Sequence, residues 1–227
     1  MAYAIAAPPI TTVPVIGGEN FPVHRIYCVG RNYAEHAREM GHDPNREPPF
    51  FFMKPADAIA PTGSSIPYPP KTSDYQHEIE MVVALAKGGR DIPVDKALDL
   101  VFGYAVGLDM TRRDVQGEAK KLGRPWDMGK GFDQSAPCAP ISPASKVGHI
   151  AKGAIWLKVN GEVRQKGDIS QLIWSVAETI AYLSGYVALA PGDLIYSGTP
   201  AGVGAVKRGD KLEGHVDGLT DLAIAIA

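Results

Sequence analysis

The chain is 227 residues long, 45% hydrophobic and 21% charged, a composition that suits a globular protein with room for one sizeable core. Its 23 lysines and arginines against 25 aspartates and glutamates give a formal net charge of −2, so charge makes no case for nucleic acid or an anionic membrane as a partner. No apolar run approaches the roughly 20 residues of a bilayer span. With only Cys28 and Cys138 present, and prolines breaking an N-terminal stretch that lacks a basic start, a cytoplasmic protein with free thiols is expected.

Residues 1–20, rich in proline and β-branched side chains, read as an extended arm or edge hairpin. "VHRIYCVG" (23–30) predicts a strand. Residues 31–41 predict a short helix, with Asn32 as N-cap and Gly41 as its stop. A polar loop (42–49) leads to "FFFMK" (50–54), expected as a buried strand, and to a Pro/Ser/Gly-rich connection (55–74). "YQHEIEMVVAL" (75–85) reads as one strand, 92–101 as a brief helix, 102–110 as a strand and 111–123 as a helix. Asn160-Gly161 marks a hairpin turn within 154–165. The strongest helical periodicity covers 168–184, with Asp168 and Gln171 placed as a capping box. Strands at 193–198, 210–216 and 219–227 close a β-dominated, mixed α/β single domain with a few short helices.

Four places carry chemistry. Residues two apart on a strand share a face, so Glu78 and Glu80 lie side by side and require a cation or protons between them. Asp109, at the end of an apolar strand, is a third candidate, and three carboxylates form a hard oxygen set that suits Mg²⁺ or Mn²⁺ over Zn²⁺. Met81 stands where a zinc-protease HExxH motif needs its second histidine. Alone, the two glutamates also fit the wet face of an antiparallel strand. His36 and Glu39 are three apart on the expected helix and form a candidate water-activating dyad, although an exposed polar pair has the same spacing. Arg113 and Gln116 share a face of the helix after Asp109, and glycines flank Lys130 as if to let backbone approach a ligand. Thr199, in "SGTPAGVGAV", lies among amides that could cradle a carboxylate, but the segment lacks the Lys-Ser/Thr ending of a P-loop.

"YCVGRNYAEHAREMG", "PPFFFMKPADA", "HEIEMVVAL", "GYAVGLDMTRRDVQ", "GRPWDMGKGFDQSAP" and "PGDLIYSGTPAGVG", in this order, resemble the fumarylacetoacetate hydrolase family from about residue 21 onward. The resemblance implies a catalytic domain over 21–227 with a mixed β-sandwich roll, and a homodimer with one Mg²⁺ (or Mn²⁺) per subunit. It assigns the metal to Glu78, Glu80 and Asp109. It implies that His36 and Glu39 activate water from a lid segment, that Arg113, Gln116 and Thr199 contact substrate, and that Lys130 stabilises an enolate. The implied activity is hydrolysis of a carbon–carbon bond in a 2,4-diketo acid, within the branch that cleaves fumarylpyruvate in gentisate degradation. Arg31 or Lys54 would meet the fumaryl carboxylate, on charge alone. Acylpyruvate hydrolysis, oxaloacetate decarboxylation and keto-enol isomerisation use a similar enolate on the same site. A metal-stabilised small-acid binding protein is the non-enzymatic alternative.

Overall fold

The computed structural model describes residues 3–35 and 47–227. In chain order the strands are β1 Thr12–Pro14, β2 Asn20–Pro22, β3 Ile26–Gly30, β4 Phe50–Lys54, β5 Ile59–Pro61, β6 Ser65–Ile66, β7 Tyr75–His77, β8 Ile79–Leu85 and β9 Val101–Leu108. They continue with β10 Thr111–Arg112, β11 Ala136–Cys138, β12 Ser142–Pro143, β13 Ala154–Val159, β14 Glu162–Asp168, β15 Leu194–Tyr196, β16 Gly204–Ala205, β17 Lys211–Val216 and β18 Leu222–Ile226. The helices that matter to the site are α1 Arg113–Lys121, α2 Asp127–Lys130 and α3 Val176–Tyr186. The architecture is the β-dominated one expected from the sequence. Among the described residues, no helix is long and apolar enough to cross a membrane.

An eight-stranded mixed sheet runs β4-β3-β15-β8-β9-β11-β5, with β12 also paired to β9. Strand alternation divides the core in two. Ile79, Met81, Val83 and Leu85 of β8 face one cluster, shared with Ile155 and Leu157 of β13 and Leu212 and Val216 of β17. These come from a five-stranded sheet, β14-β13-β17-β18-β6, stacked on that face. Packing there is close, because a Cβ on Gly214 would meet Ile79 Cδ1 at 2.6 Å. Val82 and Ala84 face the second cluster, which the N-terminal hairpin β1–β2 covers with Val13 and Phe21, joined by Val15 just beyond β1.

Three expectations change. The stretch 75–85 is not one strand, since β7 pairs with β10 and β16 in a separate three-stranded sheet and the break falls at Glu78. The expected helix 168–184 starts late. The Asp168–Gln171 capping box forms, but it caps only a 3₁₀ turn, Ile169–Gln171. The chain then stays extended because Ile173 N–H donates to Asn32 O and Trp174 N–H to Asn32 Oδ1, so α3 begins after a second capping box, Ser175–Glu178. The expected helix 31–41 lies largely outside the described residues, and the Asn32 Nδ2 donates to Trp174 O and Ser197 O. Finally, β4 is an edge strand with partly exposed phenyl rings rather than a buried one, and Met53 is 46% exposed. The Asn160-Gly161 hairpin turn forms as read, with both residues at positive φ between β13 and β14.

Candidate active site

The acids meet at the seam between two sheets. In the antiparallel β8–β9 ladder Ile79 pairs with Leu108 and Glu80 with Gly107, so Glu78 and Asp109 face each other one step further on. Asp109 N–H donates to Glu78 O at 2.9 Å. Both strands leave the large sheet there and resume as β7 and β10. Gly107, opposite Glu80 in the ladder, lets Val82 and Tyr196 pack against the backbone, because a Cβ would meet Val82 Cγ2 at 2.5 Å and Tyr196 at 2.7 Å. Carboxylate oxygens of Glu78, Glu80 and Asp109 lie within 4.8 Å of one another, and all three residues are buried.

Basic residues close around two of the acids. Lys130 Nζ donates to Glu78 Oε2 (2.8 Å), Asp109 Oδ2 (2.7 Å) and Thr111 Oγ1 (2.7 Å), which engages all three ammonium protons. Burial opposes this charge, but Asp109 and Glu78 outweigh it and hold the Lys130 pKa above the ordinary lysine value. Arg113 binds the other oxygen of Glu78 and also donates to Gln76 Oε1 and Gln116 Oε1, both at 2.8 Å. Lys54 Nζ lies 2.8 Å from Asp109 Oδ1 but lacks hydrogen-bond geometry towards it. Its bonds go to the carbonyls of Met110 and Lys130.

Glu80 differs from its neighbours. Its Oε2 accepts the Gly198 amide at 2.7 Å, and among the described residues no lysine or arginine pairs with it. Burial, then Asp109 and Glu78, push its pKa well above the usual carboxylate range. That amide is reached because Gly198 takes φ +102 where a Cβ would meet Asn32 Cβ at 2.6 Å. A buried, unpaired carboxylate and an Asp109 Oδ1 without a hydrogen-bond donor are the features a hard divalent cation satisfies, so the donor set fits Mg²⁺ or Mn²⁺.

A cleft opens over the triad. Its lining includes Glu78, Glu80, Arg113, Gln116, Lys130, Thr199 and Arg31, so the structure brings these expected site residues together, with Asp109 buried behind them. His36 and Glu39 lie outside the described residues. Two readings are corrected. Lys54 is 1% exposed beneath Asp109 and cannot receive a substrate carboxylate. The glycines beside Lys130 serve packing rather than ligand approach: a Cβ on Gly129 would sit 3.0 Å from the Gln116 backbone, and one on Gly131 3.3 Å from Asp127 O and Pro55.

The sequence reading passed over Gln165 and Lys120. Gln165 is fully buried, and its Oε1 accepts from Ile79 N–H at 3.0 Å and lies 2.9 Å from His77 Nδ1. Its Nε2 donates to Pro200 O and Thr199 Oγ1, both at 2.8 Å. The backbone partners fix the amide orientation, so Thr199 accepts from Gln165 and its own hydroxyl proton is left to donate elsewhere. Lys120, on the last turn of α1, lines the cleft with Trp126, Phe50 and Phe52. A Lys-Lys pair ending a helix normally reads as solvated surface, so no local signal marks it.

Residues 25–227 match the family described as fumarylacetoacetate (FAA) hydrolase, C-terminal. A fumarylpyruvate hydrolase from Ralstonia sp. is 46% identical over 184 residues, 81% of this chain and 95% of that protein. The mitochondrial oxaloacetate tautomerase of Homo sapiens is 45% identical over 201 residues, 88% of this chain and 90% of that protein. The crystal structure of fumarylpyruvate hydrolase from Pseudomonas aeruginosa in complex with Mn²⁺ and pyruvate is similar over the whole chain and 99% of its own, with a TM-score of 0.98 and 55% identity.

Proposed function

Because the chain belongs to the fumarylacetoacetate hydrolase family, we propose that this enzyme hydrolyses a carbon–carbon bond of a 2,4-diketo acid, converting fumarylpyruvate and water to fumarate and pyruvate. One convergence carries the reading. An acid triad that fits a divalent ion shares a cleft with Arg113, Gln116, Lys130 and Thr199, in a chain 55% identical to a fumarylpyruvate hydrolase in complex with Mn²⁺ and pyruvate.

Glu78, Glu80 and Asp109 would hold Mg²⁺ or Mn²⁺, which when bound supplies Lewis-acid stabilisation of negative charge on nearby oxygens. Thr199 and Gln116 offer hydrogen bonds to the pyruvoyl end, and Thr199 is held as a donor by Gln165. His36, supported by Glu39, takes a proton from water, which attacks the carbonyl distal to the pyruvoyl group. The bond between that carbon and the adjacent methylene carbon breaks, and its electron pair leaves on a pyruvate enolate that is then protonated. Lys130, fixed as a cation beside the cleft, favours that developing charge through its field.

In ¹⁸O-labelled water, hydrolysis places one water oxygen in each new fumarate carboxylate, which mass spectrometry of the products reads directly. Fumarylpyruvate left intact by the metal-loaded protein would contradict the reading. His36→Ala is expected to abolish cleavage while leaving the Mn²⁺-induced rise in melting temperature in place. Retained cleavage would remove His36 from the mechanism. The similarity to the human tautomerase supports a second reading, enol–keto interconversion of oxaloacetate on the same site. It predicts proton exchange at oxaloacetate C3 without bond cleavage.

A further inference from the structure

We propose that Lys120 determines substrate specificity: together with Arg31 it receives a second carboxylate, at the end of the substrate remote from the acid triad. The inference rests on the functional reading above and names the substrate class within it, an elongated dicarboxylate.

An aromatic ladder holds the two cations. Arg31 Cζ lies 5.3 Å over the Phe50 ring. Phe50 meets Trp126 edge to face at 5.4 Å, and Lys120 Nζ lies 4.9 Å over Trp126. The Phe50 ring in turn packs on the backbone of Gly30, where a Cβ would meet it at 2.1 Å. Arg31 is held at φ +59, a left-handed conformation that costs a non-glycine residue energy and recurs at ligand sites. All of these side chains line the cleft that holds the triad.

The charge balance along the cleft is uneven. Arg113, Lys130 and Lys54 each sit against a buried carboxylate. Among the described residues, Arg31 pairs only with Glu47, 3.9 Å away and 70% exposed. Lys120 makes no ion pair with any described residue, although it is half-buried. Burial, then the neighbouring Arg113, Arg31 and Lys130, lower its pKa below the ordinary lysine value. A cleft that holds two cations without a buried carboxylate partner, beside the rings of Phe50 and Trp126, suits an anion. A diketo acid with a neutral acyl group leaves them unmatched, whereas fumarylpyruvate places a carboxylate beyond its reacting carbonyl.

The test compares fumarylpyruvate with acetylpyruvate, which lacks the second carboxylate. Lys120→Met keeps an unbranched side chain of similar length and removes the charge. It is expected to lower the ratio of kcat/KM for fumarylpyruvate to that for acetylpyruvate by about tenfold or more, the loss of one charge-assisted hydrogen bond. Most of the loss should fall in KM, and Lys120→Arg should restore most of the ratio. An unchanged ratio in Lys120→Met would overturn the proposal. Calorimetric titration of Mg²⁺-loaded protein with fumarate provides a readout independent of turnover. Lys120→Met should weaken fumarate binding by a similar factor, and equal affinity in both proteins would again overturn it. If wild-type protein cleaves neither diketo acid, the hydrolase reading fails, and the fumarate titration still decides the role of Lys120.

Discussion

Glu80 is the acid whose surroundings most clearly call for a metal. Glu78 and Asp109 share Lys130, but Glu80 has one amide donor and two like charges nearby. Glu80→Gln keeps an oxygen for the Gly198 amide and removes a buried charge. It should therefore raise the melting temperature of metal-free protein and abolish the stabilisation by Mg²⁺ or Mn²⁺, which for an intact site is about 2.7 kcal/mol at a hundred times Kd. Thermal melts with and without the ion check both parts, and a metal-dependent shift that survives in Glu80→Gln would rule out its ligand role. Gln165→Leu would leave the buried Ile79 amide without its acceptor, at about 1–3 kcal/mol, and free Thr199 to rotate. Denaturant melts should show the loss, and KM should rise more than kcat falls. At this scale the sequence was informative about acids and poor about cations. Carboxylates spaced two apart announce a shared need. Lys54, Lys120 and the glycines beside Lys130 acquire their roles only from how the chain folds, which brings them against Asp109, Trp126 and Gln116.

Among the elements, β13, β17 and β18 were legible from period-two alternation, and β3, β8, β9 and β15 as short continuous apolar runs buried on both faces. The errors arose where one stretch serves two neighbours. The run 75–85 is apolar enough to read as one strand, yet the ladder passes from one sheet to another at Glu78, and that break helps bring Glu78 next to Asp109. Helix α3 starts at Ser175 because Asn32, 142 residues away from Trp174, claims the backbone before it. Ser175→Ala should cost about 1 kcal/mol in denaturant unfolding through loss of the cap, and no loss would contradict this boundary. Near the β17–β18 hairpin, His215 is bonded to Asp221 (2.6 Å) and Asp217 (3.1 Å). Burial lowers its pKa, but these two bonds more than compensate and raise it above the ordinary histidine value. A raised histidine pKa adds stability that is full below the unfolded value of about 6.5 and is lost as pH rises through the folded value. The melting-temperature deficit of His215→Asn should therefore be largest at acidic pH and shrink on going alkaline. A deficit independent of pH would show that packing against Trp156 accounts for it instead.

For the whole molecule, two stacked sheets and a covering hairpin give the acids a rigid support. The cleft forms where the ends of β3 and β8 meet the segment after β15, walled by β4, α1 and α2. Much of the site was legible because the chemistry-bearing segments occur as an ordered set, more specific than any one of them. The cleft's second, cationic end was not, since it depends on aromatic rings from β4 and the residue before α2 stacking across space. The central claim is that the triad and the cleft together perform metal-dependent carbon–carbon hydrolysis. The most direct measurement follows loss of diketo-acid absorbance by EDTA-stripped protein with fumarylpyruvate, acetylpyruvate and oxaloacetate, each before and after adding Mg²⁺ or Mn²⁺. The expected result is turnover only after metal addition, fastest with fumarylpyruvate and yielding equal amounts of fumarate and pyruvate. Cleavage that is indifferent to metal, or no cleavage beside rapid enol–keto interconversion of oxaloacetate, would contradict it.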